Sequence, residues 1–497
     1  MKACLLFLAA AVAVSTAHAD VSLPAVFSDD IVLQRGAKVP VWGWAAPGEE
    51  VSVSFAGQTQ KTKADDKGDW KVQLDSMFEH ADPSDLVVAG KNTLTVKNVL
   101  VGEVWLCSGQ SNMQMTVNEA ADAPKEIAQA SHPQIRMFNV ENIRATEPQK
   151  DTKGRWLVCD PANTPRFSAA AYYFGRKLHE ELKVPVGLIN TCWGGTRAEA
   201  WTSREALEQL PSARALLADW EKRLKSFDPA KDKEDPNKTP HYPAVLFNQM
   251  IAPLVPYAIR GAIWYQGESN QKRAQQYQEL LPTMINDWRT RWGTDFPFYL
   301  VQLAGFGNGH APATEAGVPD TWAELQEAQM LTAITLPHCG VAVANDIGDE
   351  KNIHPTNKQE VGRRLALWAL AKDYARQDVE CSGPIFKGSK TDGKKVRIQF
   401  SHAKGLKARD GGELKGFQIC GADQKWQWAK AKVEGGEVVA WSEQVAKPAG
   451  VRYAWASWSP QANLVNAAGL PASCFRTDEF PLSTLGVVSP FEENAKK

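Results

Sequence analysis

The pattern of apolar and polar positions changes twice along the chain and predicts three regions. From residue 20 to about residue 100, short runs alternate apolar and polar residues between turn-forming stretches, as in KVPVWGWA and EEVSVSFAG. Such alternation is typical of strands that face a core on one side and solvent on the other. We therefore predict an N-terminal antiparallel β-sandwich over residues 20–100.

The middle region, residues 101–380, has a different pattern. Continuous apolar runs such as VPVGLIN (184–190) and PFYLVQLA (297–304) alternate with amphipathic segments such as SAAAYYFGRKLHEEL (168–182). Strands that are apolar on both faces and alternate with helices indicate a parallel sheet covered on both sides. The predicted fold class is α/β, and in such sheets ligands bind beyond the carboxyl ends of the strands.

After about residue 380 the chain returns to short alternating runs, for example KKVRIQF and EVVAWS. These runs predict a C-terminal β domain over residues 381–497. The segment 305–320, GFGNGHAPATEAGVPD, directly follows a predicted strand. It is interpreted either as a surface loop or as a lid over a site, in which His310 would contact substrate.

The first nineteen residues, MKACLLFLAAAVAVSTAHA, combine a lysine, an apolar stretch and a small-x-small end. This pattern predicts a cleaved signal peptide and export to the periplasm or the medium. The apolar stretch is too short to span a bilayer, and no later run approaches the necessary length. Of the eight cysteines, only Cys4 lies in this leader, and the others lack C-x-x-C spacing. We therefore predict neither a structural zinc site nor a disulfide scaffold.

Charge and composition indicate which kinds of molecule the protein binds. The chain has 56 lysines and arginines against 57 aspartates and glutamates, without a basic cluster, which argues against nucleic acid as a partner. Its 18 tryptophans are compatible with a protein that stacks sugars on exposed rings, although most will lie in the core. Neither H-E-x-x-H nor D-x-D-x-D-G is present, so we predict no metal.

Polar residues follow four of the predicted strands at the point where each strand ends. In chain order these are Ser111; Trp193, Gly194, Gly195 and Arg197; Gln266 and Glu268; and Asp346, Asp349 and His354. The carboxyl ends of parallel strands meet at one edge of a sheet. The sequence therefore predicts that an alcohol, an imidazole, carboxylates and amide donors meet there, which are the groups needed for acyl transfer.

Each of these groups also has a purely structural interpretation. Ser111 and Gln114 fit a capping box at the start of a helix. The glycine pair fits a simple turn, or a backbone amide that approaches an anionic oxygen closely. His354 precedes a proline at the entrance of a predicted helix, where histidines are often structural. No G-x-S-x-G pentapeptide occurs, which argues against an α/β-hydrolase elbow.

Four segments together resemble a known family: GQSNMQM, NTCWGGTRAEAW, GAIWYQGESN and DIGDEKNIHPTNKQEVGRRLA. They are similar to the sialate O-acetylesterase-like family of carbohydrate esterases, in the SGNH or GDSL-like hydrolase superfamily. The stretch VRYAWASWSPQANLVNAAGLPASCFRTD extends the resemblance over nearly the whole mature chain. It implies an SGNH-type sheet and a serine hydrolase that removes acetyl groups from sugar hydroxyls without a cofactor.

The resemblance also implies roles for the matching residues. Ser111 stands where the family has its nucleophile, and His354 stands where it has its base. The backbone amides of Ser111 and Gly195 would form the oxyanion hole. The side chain of Gln266 would join them, in place of the asparagine that is usual in the superfamily.

The acid that orients the histidine departs from the superfamily pattern. Many members have an aspartate three residues before the histidine, where this chain has Lys351. Three carboxylates are candidates: Glu268, which matches a glutamate of related acetyl xylan esterases, Asp349 and Asp346. We prefer Glu268 to Asp349 and expect Asp346 to build the loop. A serine–histidine dyad without an acid is the alternative.

The resemblance covers enzymes for acetylated sialic acids and enzymes for acetylated plant cell-wall glycans. We predict an acetylesterase for hemicellulose oligosaccharides such as those of xyloglucan or xylan. The alternative is a sialate 9-O-acetylesterase, in which Arg197 would pair with the sialic acid carboxylate. Trp193 is the second candidate substrate contact. A non-catalytic carbohydrate-binding protein is an alternative of another class, but it leaves the serine, glutamate and histidine at the strand ends unexplained.

Overall fold

The computed structural model describes residues 20–232, 235–236, 238–308 and 315–492. The predicted signal peptide and His310 lie outside these residues. Within the described part of the chain, no helix is long and apolar enough to cross a membrane. The seven cysteines of the described residues are free thiols.

The N-terminal region consists of β-strands. They are β1 (Val32–Gln34), β2 (Val39–Trp44), β3 (Glu50–Phe55), β4 (Gln58–Lys63), β5 (Asp69–Leu74), β6 (His80–Ala89) and β7 (Thr93–Gly109). β4, β3, β6 and β7 form one antiparallel sheet, and β2 pairs with β5 in a second. Side chains along β2, β3 and β5 alternate between buried and more accessible positions, as their sequence pattern predicts. The polar strand β4, QTQKTK, lies at a sheet edge and carries no such signal.

Strand β7 is 17 residues long and belongs to two parts of the molecule. Its first half pairs with β6, and residues from Glu103 onward pair with strands of the middle region. The predicted domain boundary at residue 100 therefore lies within a continuous strand, without a linker. Buried apolar residues on both sides of this position belong to the same hydrophobic core.

The middle region contains a mostly parallel sheet. Its further strands are β8 (His132–Asn139), β9 (Trp156–Cys159), β10 (Val186–Cys192), β11 (Gly261–Tyr265), β12 (Phe298–Val301) and β13 (Cys339–Ala342). The strand order is β13-β12-β11-β7-β10-β8-β9, and only β9 runs antiparallel to its neighbour. β10, β11 and β12 are buried along their whole length. The predicted α/β class is confirmed.

Helices connect and cover these strands. They are α1 (Ser111–Gln114), α2 (Ala123–Ala128), α3 (Ala169–Leu182), α4 (Arg204–Gln209), α5 (Pro211–Ser226), α6 (Ala274–Trp292), α7 (Thr321–Thr335) and α8 (Lys358–Lys372). Short 3₁₀ turns cover Val117–Glu119, Thr164–Arg166, Ala198–Trp201, Ala252–Leu254 and Glu268–Arg273, and a π-turn covers Phe247–Ile251. Two of the longer helices begin at polar caps: Ser168 accepts from Ala171 N at α3, and Asp320 accepts from two amides at α7.

The register of the sheet aligns the strand ends. Gly109, at the end of β7, lies opposite Cys192 of β10 and Tyr265 of β11. An added Cβ on Gly109 would lie 2.2 Å from the carbonyl oxygen of Tyr265, so only glycine allows this close approach. The residues that follow these three strands are therefore brought together at one edge of the sheet.

The C-terminal region is again built from strands. They are β14 (Ile385–Asp392), β15 (Lys395–Ser401), β16 (Lys407–Ala408), β17 (Phe417–Cys420), β18 (Trp426–Trp428), β19 (Lys430–Glu434), β20 (Glu437–Trp441), β21 (Gly450–Tyr453), β22 (Leu464–Val465) and β23 (Phe475–Arg476). They enclose a separate hydrophobic core. The segment after β21 packs back onto the middle region, where Phe306 N donates to Ser457 O at 2.7 Å.

Candidate active site

Ser111 and His354 are in direct contact, although 243 positions separate them. The Ser111 Oγ lies 2.8 Å from Nε2 of His354. Ser111 is the first residue of α1, at the turn that follows β7, and it remains partly accessible to solvent. His354 comes from the loop that joins β13 to α8. A serine hydroxyl in hydrogen-bond contact with an imidazole is the arrangement in which the imidazole can take the hydroxyl proton.

The structure contradicts the capping interpretation of Ser111. The N-cap of α1 is Gln110, and no side chain caps this helix. The Ser111 hydroxyl is used by His354, while Gln114 Oε1 accepts a hydrogen bond from Gly194 N at 2.7 Å. At the entrance of α8, the helix is capped by Asn357, whose side chain accepts from Glu360 N.

The glycine pair lies against the serine. An added Cβ on Gly194 would lie 3.4 Å from the Ser111 Cβ and 2.9 Å from Gln114 Oε1, so it would displace the Gln114 oxygen that accepts from the Gly194 amide. Gly195 has a φ of +75°, which favours glycine, and its carbonyl oxygen accepts from Ser269 Oγ at 2.7 Å. Among the described residues, the amides of Ser111 and Gly195 have no hydrogen-bond acceptor. They remain available to an anionic oxygen next to Ser111.

The structure contradicts the role of Gln266 as a side-chain donor to this oxygen. Its side chain is fully buried. Its Nε2 donates to Thr196 O at 3.2 Å and to Asn270 Oδ1 at 2.7 Å, and its Oε1 accepts from Tyr277 at 2.8 Å. Both amide hydrogens are thus committed within the protein. Gln266 ties the turn after β11 to the turn after β10.

A second buried contact holds the same two turns together. Asn270 Oδ1 accepts from Ala198 N at 3.0 Å, and Asn270 Nδ2 donates to Glu199 at 2.9 Å. Glu199 also pairs with Arg273 at 2.7 Å, and both of these side chains are fully buried. This network fixes the backbone on which Gly195 lies.

None of the three candidate acids contacts His354 among the described residues. Asp349 accepts from the backbone amides of Lys351 and Asn352, at 2.7 and 2.8 Å, so it shapes the loop instead. Asp346 forms a bidentate ion pair with Arg364, as expected of a loop-building residue. Neither the preferred Glu268 nor Asp349 therefore orients the imidazole directly. The pair of Ser111 and His354 forms a dyad.

Glu268 instead contacts the residue after the serine. Asn112 Nδ2 donates to Glu268 Oε1 at 2.5 Å and to Ile353 O at 3.0 Å. The same side chain accepts from Lys358 Nζ, at 2.6 Å from Asn112 Oδ1. Asn112 therefore bridges a carboxylate and an ammonium group, and it attaches α1 to the histidine loop.

Burial disfavours the charged forms of both partners of Asn112. It raises the pKa of Glu268 above its usual value, against the opposing effects of the Asn112 hydrogen bond and of Lys358. It lowers the pKa of Lys358 to about 7, although the negative charge of Glu268 opposes this shift. Burial therefore disfavours the charged form of each group, while the charge of each group opposes that shift in the other.

The electrostatic surroundings of His354 keep its imidazole neutral. Burial is the largest cause that lowers the pKa of His354, and the positive charge of Lys358 lowers it further. Glu119 is the carboxylate that opposes this shift, and its Oε2 accepts from Thr116 N at 2.8 Å and from Thr116 Oγ1 at 2.7 Å. A neutral imidazole at physiological pH is the form that can accept a proton.

The two predicted substrate contacts lie in the turn that carries the glycine pair. Trp193 is partly buried against the main core, and its backbone amide donates to Gly109 O at 3.1 Å. Arg197 is partly buried, and its Nε is enclosed without a hydrogen-bond partner in the described residues. Its positive charge helps to lower the pKa of Glu199. Their roles as substrate contacts stay predictions.

One group of side chains has ligand atoms close enough to hold a metal ion. Glu380, Cys381 and His402 offer such atoms within 4.8 Å of one another, at the entrance to the C-terminal region. His402 Nδ1 lies 2.6 Å from Glu380, so these two side chains already bind each other. The group takes no part in the hydrogen bonds described for Ser111 and His354.

Three residues of the site had no role in the sequence-based prediction: Asn112, Lys358 and Glu119. Asn112 directly follows the serine in the GQSNMQM segment, which was the one available signal. Lys358 reads as an ordinary helix residue, and Glu119 belongs to a separate 3₁₀ turn. Their importance arises from contacts between distant segments.

Comparison with known proteins finds a matching family model and similar curated relatives. The family model described as "Carbohydrate esterase, sialic acid-specific acetylesterase" matches residues 101–371. The chain is 30% identical over 470 residues to a sialate O-acetylesterase of Rattus norvegicus, covering 84% of this chain and 86% of the relative. It is 30% identical over 475 residues to the Homo sapiens enzyme of the same name, covering 87% of each.

A solved structure extends this similarity to the fold. A carbohydrate acetylesterase from Xanthomonas citri shares 38% sequence identity with the chain and superimposes with a TM-score of 0.83. The similarity covers 93% of this chain and the whole of that structure. It therefore includes the N-terminal and C-terminal β regions as well as the central sheet.

Proposed function

The chain belongs to the sialic acid-specific acetylesterase family of carbohydrate esterases, and we propose that Ser111 and His354 carry its chemistry. It is thus a carboxylic ester hydrolase acting on carbohydrates. Its proposed substrates are neutral acetylated oligosaccharides. The observation that carries the catalytic part is the 2.8 Å contact between Ser111 Oγ and His354 Nε2.

The reaction proceeds in two steps. His354 Nε2 takes the proton of Ser111 while Oγ attacks the acetyl carbonyl carbon, and His354 then donates that proton to the departing sugar oxygen. In the second step His354 takes a proton from water while the water oxygen attacks the acetyl-enzyme carbonyl, and His354 then returns that proton to Ser111 Oγ as the ester bond breaks and acetate leaves. Serine is uncharged at neutral pH, so Ser111 depends on the base for its reactivity.

Backbone amides stabilise the oxyanion in both steps. The amides of Ser111 and Gly195 are free of other acceptors in the described residues, and the turn that carries Gly195 is fixed by Ser269. Donors that are held in place before the reaction stabilise developing charge without reorganisation. The buried network around Asn270 keeps this turn rigid.

The charge around the adjoining cleft supports a neutral substrate. The cleft has a volume of about 530 Å³, and its floor includes Glu268 and Ile353, the residue before His354. Its described lining has two charged side chains, Glu268 and Asp320, and both are acidic. An acidic lining disfavours an anionic sugar. Acetylated hemicellulose oligosaccharides, such as those of xylan or xyloglucan, are neutral.

A second candidate substrate is an O-acetylated sialic acid. The curated relatives are sialate O-acetylesterases, and Arg197 is a partly exposed cation in the turn that carries Gly195. Such a group is suited to a carboxylate. This candidate places the sugar carboxylate at Arg197 and outside the acidic cleft. For either substrate, the predicted leader sequence supports export of the enzyme.

The test is acetate release from acetylated xylo-oligosaccharides, acetylated xyloglucan oligosaccharides and 9-O-acetyl-N-acetylneuraminic acid at matched acetyl concentrations. We expect kcat/KM to be highest for one of the neutral oligosaccharides. Arg197→Met is the matched variant, because it keeps the aliphatic length and removes the charge. A selective loss of sialate activity in this variant, combined with a higher wild-type kcat/KM for the sialate, would replace our proposal with the second candidate.

A further inference from the structure

The cleft beside Ser111 has one wall from the C-terminal region. Its described lining includes Phe306, Gly307 and Asn308 after β12, Pro319 to Trp322 at the start of α7, and Ala456 to Trp458 after β21. A volume of about 530 Å³ lies within the usual range of small-molecule sites, about 300–1,000 Å³. Glu268 and Ile353, which both accept hydrogen bonds from Asn112 next to Ser111, border the same space as the C-terminal region.

The C-terminal wall is held in place by specific contacts. Ser457 donates from its amide and its hydroxyl to Asp320 Oδ2, at 2.7 and 2.6 Å. The other oxygen of Asp320 caps α7 by accepting from Trp322 N and Ala323 N, both at 2.9 Å. One carboxylate thus anchors both the helix and the segment that carries Trp458.

The backbone of the middle region is shaped to receive the indole of Trp458. Phe306 N donates to Ser457 O at 2.7 Å, next to Trp458 in the chain. An added Cβ on Gly305 would lie 3.2 Å from the Trp458 ring, so the indole packs directly on the glycine backbone. The ring is held in place, yet it remains partly exposed in the cleft.

The indole N–H and the ring face of Trp458 are both available to a ligand. Its indole N–H has no acceptor among the described residues, and it is not enclosed by protein. In contrast, the indole N–H of Trp322 in the same cleft donates to Ala304 O at 3.0 Å, and that ring packs against Phe306 with a centroid distance of 5.8 Å. Phe306 and Trp458 are therefore the two partly exposed rings of the cleft.

We propose that this cleft binds the sugar units next to the acetylated one in a neutral oligosaccharide, with Trp458 of the C-terminal region as the stacking platform. The inference rests on the proposed function for its reaction, but it concerns a separate binding site. The C–H bonds of a sugar ring carry partial positive charge and meet the negative face of an indole favourably. The free indole N–H can donate to a sugar hydroxyl.

This assignment gives the C-terminal region a part in substrate recognition. An acetyl group on a free monosaccharide reaches Ser111 without using the cleft. The same group on an oligosaccharide places the neighbouring units over Phe306 and Trp458. The enzyme should therefore prefer acetylated oligosaccharides to acetylated monosaccharides, and the preference should depend on Trp458.

The experiment compares the full chain with Trp458→Ala in two assays. In the first, xylotetraose without acetyl groups is titrated into each protein by calorimetry. In the second, kcat/KM is measured for acetylated xylotetraose and for acetylated xylose. We expect Trp458→Ala to weaken xylotetraose binding about tenfold and to reduce the ratio of the two kcat/KM values by a similar factor. Trp458→Phe keeps an aromatic face and should retain most of both.

Trp428→Ala is the matched control, because Trp428 is an exposed tryptophan of the same region that does not line the cleft. It should leave the Kd and the ratio unchanged. Equal losses in the two alanine variants, or unchanged xylotetraose binding in Trp458→Ala, would overturn the inference. Binding that depends on Trp458 without acetate release would instead contradict the proposed function alone.

Discussion

Lys358 Nζ lies 2.6 Å from the side-chain oxygen of Asn112, the residue that directly follows the proposed nucleophile. The ammonium group is buried, and it also donates to Pro355 O at 2.8 Å. Pro355 follows His354 in the chain, so this lysine joins the serine turn to the histidine loop. It acts on His354 both through this contact and through its charge.

The first prediction concerns the charge of Lys358. Burial and the positive charge of Lys358 both lower the pKa of His354 below 6.5. The base must be neutral, so kcat/KM should rise with pH through this pKa and then level off. Lys358→Gln removes the positive charge, which raises the pKa of His354 and moves the acid limb of the profile to higher pH.

The measurement is kcat/KM for 4-nitrophenyl acetate between pH 4.5 and 8. Lys351→Gln is the control, because Lys351 is an exposed lysine of the same loop, whose charge is screened by solvent. Its profile should match that of the wild type. An unchanged or lower midpoint for Lys358→Gln would contradict the proposed electrostatic effect.

The second prediction concerns the dyad. Ser111→Ala and His354→Ala should each lower kcat by about 10⁴-fold or more, because nucleophile and base act as one unit. The double variant should be no worse than either single variant. Acetate release shows the loss, and thermal unfolding shows that the variants remain folded. Turnover near the wild-type value in Ser111→Ala would remove the basis of the mechanism.

The third prediction concerns the acid. Glu268→Gln and Asp349→Asn should each change kcat by less than about tenfold, since neither carboxylate contacts His354 and each new amide keeps an acceptor oxygen. Loss of a carboxylate that orients the base directly costs about 10⁴-fold. A loss of that size in one variant would identify the orienting acid and show that the site rearranges when substrate binds.

The fourth prediction tests whether Gln266 stabilises the fold or donates a hydrogen bond to the oxyanion. Gln266→Met leaves buried partners of Gln266 without hydrogen bonds, so we expect the free energy of unfolding to fall by about 1–3 kcal/mol. We expect kcat to fall by less than tenfold. Chemical denaturation and initial rates report the two quantities. A loss of about 10²- to 10³-fold in kcat at unchanged stability is the result that an oxyanion donor would give.

The fifth prediction concerns Gly195. An alanine at a φ of +75° is strained by about 1–2 kcal/mol, although no atom lies within 4 Å of the added Cβ. The strain is relieved by rotation of the peptide, which moves the amide away from the oxyanion. We expect Gly195→Ala to lower kcat by about 10²-fold with little change in KM. Gly293→Ala is the control, because Gly293 has a φ of +69° in a helix cap. If it lowers kcat and thermal stability as much as Gly195→Ala does, backbone strain alone explains the loss.

The sequence predicted those features that depend on one strand and its periodicity. Apolar runs located the central strands, and the parallel arrangement brought Ser111, Gly195 and His354 to one edge. The four segments also identified the family correctly, because they contain the residues closest to the reaction. These positions follow from short stretches of chain read one at a time.

The remaining features depend on how side chains turn at the strand ends. Gln266 directly follows an apolar run, but the direction of its side chain is set by Tyr277 and Thr196, which lie elsewhere in the sequence. Glu268 is near the serine, yet its carboxylate accepts from Asn112 and, among the described residues, not from the imidazole. The sequence gives no signal for such competition between donors.

The length of β7 also determines how the molecule should lose its structure. One strand pairs with β6 and β1 in the N-terminal region and lies at the centre of the parallel sheet, so we expect neither part to detach while the other stays paired. Heating should therefore melt both in one cooperative transition, and a chain that starts after residue 100 should not fold into an isolated hydrolase. The N-terminal region is in this respect part of the same folding unit as the sheet that carries Ser111.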